Sequence, residues 1–110
     1  MEKVEVVTSS NTSHSLYSIV KAGDDKEVYH LSSKMCQICG SERGIIFGLE
    51  HTLYDGNNLV ASFNRGFEEK TPEAAIRRVD KTHSYFKCKL KRLYDEANGN
   101  PTIPEDFFQV

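Results

Sequence analysis

The chain is short of proline, of cysteine and of long apolar runs, and each shortage closes off a class of protein. Three prolines and seven glycines are scattered over 110 residues with no internal repeat or low-complexity tract, so neither a fibrous repeat nor a solvated linker describes it. The hydrophobic residues come in short patterned groups, well below the ~18 to 20 consecutive positions that a membrane-spanning helix needs. No membrane partner is expected. Met1-Glu2-Lys3-Val4-Glu5 lacks the apolar stretch of a secretory signal, which points to an intracellular protein, cytoplasmic or nuclear. Three cysteines cannot all pair within one chain, and a reducing compartment favours metal binding or free thiols. Gly-rich phosphate loops and nucleophile elbows are absent, and the paired acids Asp24-Asp25 and Glu68-Glu69 are explained by solvation in turns. The sequence leans away from an enzyme.

What is present fits one small domain. With 38% hydrophobic and 27% charged residues, residues 1–100 suffice for a single α+β unit, and residues 101–110 read as an extended C-terminal tail. The net charge of −2 hides a segregation: residues 1–70 carry −3, residues 71–92 carry +5 and residues 93–110 carry −4. Positive charge is thus concentrated on one segment, which matters more for partner choice than the total does.

Residues 3–8 alternate and are rich in valine, predicting a first strand. Residues 16–22 and 27–31 flank Gly23-Asp24-Asp25, predicting a hairpin with turn chemistry at its tip. Ile45, Phe47, Leu49, His51 and Leu53 fall on every second position, one face of a strand. Asp55-Gly56-Asn57-Asn58 is a strong turn signal, with Leu59, Ala61 and Phe63 as the matching face of the return strand. Thr71-Pro72-Glu73 opens a helix with an N-cap hydroxyl, a proline in the first turn and an acid at the positive end of the dipole. Ile76, Val79, His83, Phe86, Leu90, Leu93 and Ala97 then step by three and four, predicting one continuous helix that stops at Asn98-Gly99-Asn100-Pro101. The expected architecture is short antiparallel β-hairpins with one long C-terminal helix packed on them.

Cys36-Gln37-Ile38-Cys39-Gly40 places two thiols with metal-ligand spacing, followed by a glycine that frees the backbone to turn. His51 on the inner face of a strand and His83 on the inner face of the helix are the natural completing pair. The expectation is one structural Zn²⁺ held by Cys36, Cys39, His51 and His83, which would add usefully to the stability of so small a core. Cys88 is the alternative fourth ligand, but five residues turn a helix by about 500°, leaving His83 and Cys88 roughly 140° apart. Buried apolar cysteines and hydrogen-bonded core histidines are the plain structural alternative. A redox pair is disfavoured, because Gly40-Ser41-Glu42-Arg43-Gly44 reads as a turn into a strand and not as a helix opening.

The order of Cys-x-x-Cys-Gly, hairpin and helix resembles the small zinc-finger and treble-clef modules over residues 36–97. Cys36-Gln37-Ile38-Cys39-Gly40, Glu50-His51 and Asn57-Asn58-Leu59-Val60 also resemble, more weakly, the HNH endonucleases that carry a cysteine knuckle. The first resemblance implies a structural zinc. The second implies metal-dependent cleavage, yet Ala61-Ser62-Phe63-Asn64 stands where that family has its second cysteine pair and following histidine.

Arg77, Arg78, Lys81, Lys87, Lys89, Lys91 and Arg92 all fall off the apolar stripe of the helix, so its exposed side should be basic. Such a surface serves either an acidic protein groove or a phosphate backbone. Cys88 among these lysines has surroundings that favour thiolate, although an incidental surface thiol explains it equally. The leading expectation is a non-catalytic protein-binding module, adaptor or inhibitor, that uses this helix face and the aromatic tail at Phe107 and Phe108. Self-association by strand addition from the tail to form a homodimer belongs to the same reading. A nucleic-acid-binding zinc module is the alternative.

Overall fold

The computed structural model describes residues 12–22, 27–40, 43–97 and 103–109. The strand predicted over residues 3–8 lies outside them. Strands β1 (Ser13–Ala22), β2 (Glu27–Gly40), β3 (Ile45–Asp55) and β4 (Asn58–Glu69) form one antiparallel sheet in the order β1-β2-β3-β4, and helix α1 (Pro72–Ala97) follows. The class is α+β, as alternation followed by a period of 3.6 requires.

Each element starts and stops for a local reason. Gly56, at φ +63°, occupies the first central position of the two-residue turn between β3 and β4, the left-handed backbone that primed hairpin turns need. Thr71 caps α1, its Oγ1 accepting the Ala74 amide at 3.1 Å, and Pro72 takes the first helical position, where no amide donor is required. The β3 alternation is borne out: Phe47, Leu49, His51 and Leu53 all point to the helix side and are buried.

Two differences from expectation follow from bulges. The Cys36 to Gly40 stretch is no knuckle but the end of a 14-residue β2, with a register shift between Gln37 and Cys39. A bulge adds an unpaired residue and lets pairing continue, so the chain stays extended where a turn was expected. A second shift between Leu53 and Tyr54 pairs Leu59 with Tyr54. Leu59 therefore joins the outer face and is 53% exposed, while Val60 packs on the core.

The helix lies over β1, β2 and β4 on one side of the sheet. Towards its N-terminal end Ala75 and Val79 meet Met35, Phe47, Leu49 and Phe67. Towards its C-terminal end Phe86 and Leu90 meet Val20, Leu31, Leu53 and Ala61, together with Phe107 and Phe108. The C-terminal segment is thus not an exposed extended tail. Phe107 and Phe108 are 0% and 3% exposed, and the segment turns back through Phe107 N–H to Pro104 O and Gln109 N–H to Asp106 O. Two phenylalanine side chains gain about 1.5 to 3 kcal/mol each by burial, which favours docking over display. Strand addition from this tail is removed by the same packing.

No described helix is long and apolar enough to cross a membrane. No helix among the described residues lies on the outer face of the sheet, and Tyr17, Ile19, Ile38, Ile46, Tyr54 and Leu59 are exposed there.

Candidate functional site

Between the two apolar clusters lies a polar layer. Ser18, Ser33, His51 and His83 each take the inward place that alternation or helical spacing assigns to a core residue, and each falls between residues of one cluster and residues of the other. Ser33 Oγ stands 2.8 Å from His51 Nδ1 and 2.8 Å from His83 Nδ1. Ser18 Oγ stands 2.8 Å from His83 Nε2. Two arrangements with neutral rings let Ser33 both donate and accept along this chain. Either the Ser18 hydroxyl donates to His83 Nε2, His83 Nδ1–H to Ser33 and Ser33 to His51 Nδ1, or every bond runs the other way.

Burial sets the protonation of this layer. His51 is pushed down to about 4, chiefly by loss of solvent, then by His83 and Arg65 nearby. His83 is lowered by the same desolvation and by Lys87, with Asp80 opposing. The His51 ring stacks on Phe108 at 5.3 Å and meets the edge of Phe86 at 5.1 Å. Ser33 is fully buried, beyond reach of an incoming substrate, and among the described residues neither ring bonds a carboxylate. The layer ties four elements, β1, β2, β3 and α1, in one register, which is how a satisfied polar network specifies a core.

The four residues expected to hold zinc do not meet. His51 and His83 lie on the helix side, bound to Ser33, whereas Cys36 and Cys39 are exposed on β2. Cys36 alternates with the inward Met35, so its thiol projects to the far side of the sheet from α1. Cys88 is exposed on α1 and takes no place beside His83. Among the described residues no group of three or more His, Cys, Asp or Glu stands close enough to hold a metal. An ion on the Cys36 and Cys39 thiols would need its remaining ligands from elsewhere. The HNH-like trio is dispersed too: Glu50 and His51 take opposite faces of β3, and Asn58 lies at the hairpin.

The basic residues of α1 divide into two groups. Arg78 pairs with Glu69 at 3.0 Å and lies 4.5 Å over the Phe67 ring. Lys89 donates to the Phe107 carbonyl at 2.6 Å and lies over that ring, tying the C-terminal segment down. These two hold the fold together. Arg77, Lys81, Lys91 and Arg92 are exposed, Lys87 is half-buried, and Tyr85 is exposed between them. At 100° per residue the exposed bases and Tyr85 share one side of the helix. Asp80, which falls close to that side, is engaged by His14 Nε2 at 2.8 Å.

Sequence reasoning missed Ser18 and Ser33. The signal was available for Ser33, which follows Tyr29 and Leu31 and precedes Met35 on the inward alternation of β2. No protein family, curated protein or solved structure matches this chain.

Proposed function

We propose that this chain is a non-catalytic recognition module whose α1 outer surface docks on an acidic surface of another protein. The observation that carries the reading is the exposed row Arg77, Lys81, Lys91 and Arg92 around an exposed Tyr85. From Arg77 to Arg92 the row runs about 22 Å along the helix. Tyrosine and arginine on a rigid element are what protein interfaces use as anchors, and surrounding charge steers the encounter.

A bounded acidic patch suits the row better than a continuous phosphate backbone does. Glu73 stands before it and Asp95 and Glu96 after it, all three exposed. With a pI near 6.1, the rest of the chain repels a long polyanion. Zinc adds nothing to this reading, which rests on the helix alone.

Fluorescence anisotropy against a Glu/Asp-rich helical peptide, a DNA duplex and a single-stranded RNA of equal charge tests the assignment. The acidic peptide is expected to bind, and Arg77→Glu/Lys81→Glu/Arg92→Glu to weaken it about tenfold or more with unchanged helicity. Tighter binding of either nucleic acid at physiological salt, lost in the same variant, would make phosphate the true target. Peptide binding that survives the triple change would move the site off α1.

A further inference from the structure

We infer that the outer face of the sheet, opposite α1, is a homodimer interface built on a two-fold axis parallel to the strands between β2 and β3. The registers place outward residues in rows across the four strands. Ile19, His30, Tyr54 and Leu59 share one row. Two rows further along, Lys34 pairs with Glu50, and beyond them Cys36 pairs with Gly48. A two-fold axis in this direction keeps each row over itself and lays β2 of one copy on β3 of the other, so each residue of these two strands meets its own cross-strand neighbour from the second copy, while β1 comes over β4.

That operation brings defined pairs together in three of these rows. Lys34 comes over the second copy's Glu50 and Glu50 over its Lys34, giving opposite charges at two related places. His30 comes over Tyr54, ring on ring. Cys36 comes over Gly48, where the Ile38 side chain of the same chain already lies close, beside a shallow hollow of about 750 Å³ on this face. At the sheet edges Ile19 comes over Leu59, apolar on apolar. Aligned sheets pack at about −30°, which keeps the central strands superposed and lets the edges diverge, so the pairs on β2 and β3 carry most weight.

Charge and size favour a second copy over an unrelated partner. The outward charges on this face are Lys21, Lys34, Glu50 and Glu68, which sum to zero, so neither a polyanion nor a polycation is attracted. Six of the seven large hydrophobics exposed among the described residues lie here. Four strands at about 4.8 Å spacing, each roughly 37 Å long, present roughly 700 Å² in projection. A stable dimer buries about 800 Å² per partner.

Two charge reversals test this on the intact chain by sedimentation velocity, with circular dichroism as the control for folding. The wild-type chain is expected at twice 12.5 kDa. Lys34→Glu and Glu50→Lys are each expected to weaken the dimer about tenfold or more, because every charge then faces its like. Mixed in equal amounts the two variants are expected to dimerise again, since each reversed face meets its opposite. The mixture separates this proposal from a loss of folding, because the like-charged neighbours within each chain remain like-charged. A monomeric wild type at 100 µM overturns the inference and leaves the face to another partner or to the chain's own residues 1–11. Dimeric single variants, or a mixture that stays monomeric, overturn it as well.

Discussion

At the scale of the residue, Ser33 is the most consequential position outside the apolar core. Its hydroxyl is the shared partner of His51 and His83, and no smaller side chain at that place in β2 supplies both bonds. Ser33→Ala is expected to cost about 2 to 4 kcal/mol in urea unfolding, because it leaves two buried ring nitrogens without their partner. A drop below 0.5 kcal/mol would show that the two rings repair the loss by bonding each other or water. The histidines themselves were legible as inward residues, since periodicity reports which way a side chain points. The partner each one takes was not, because serine, thiolate and metal all suit an imidazole nitrogen.

At the scale of the element, the C-terminal segment behaves as part of the core. Phe107 meets Phe86 at 5.8 Å and Phe108 meets the same ring edge-on at 4.9 Å, and Lys89 fastens the segment from α1. Phe107→Ala and Phe108→Ala are each expected to lower stability by about 3 to 5 kcal/mol by thermal or urea melts. A change of binding without a change of stability would return these rings to the surface. Residues 105–108 carry the composition of an exposed tail, two acids and two aromatics. Composition does not say that the sheet and helix leave an apolar opening over His51 for the rings to close.

At the scale of the whole molecule, the polar layer makes stability depend on pH. His51 titrates at about 4 in the folded chain and at the ordinary 6.5 when unfolded, and His83 is shifted in the same direction. Above pH 7 both states are neutral and the full stability is present. Between about 6.5 and 4 the unfolded chain binds protons that the folded chain refuses, so stability falls as pH falls, by about 3 kcal/mol for His51 alone. Urea midpoints from pH 8 to 4.5 are expected to decline through this window, and His51→Leu to flatten most of the slope. A flat wild-type profile would mean that the layer is hydrated in solution. The basic stripe of α1 and the neutral outer sheet lie on opposite sides of the molecule, so a partner on one leaves the other free.

The order of elements, the turn at Gly56, the cap at Thr71 and the inward faces of β3 and α1 were determined by the sequence alone, because each rests on backbone preferences and periods that act within a few residues. Which groups meet across the molecule was decided only in three dimensions. Alternation along β2 turned Cys36 away from the histidines, a bulge near Ile38 let the strand run on through Cys39, and another near Tyr54 turned Leu59 outward. A shift of one residue exchanges the two faces of a strand. Such a shift is set by the competing demands of a whole sheet and helix, which no local pattern records.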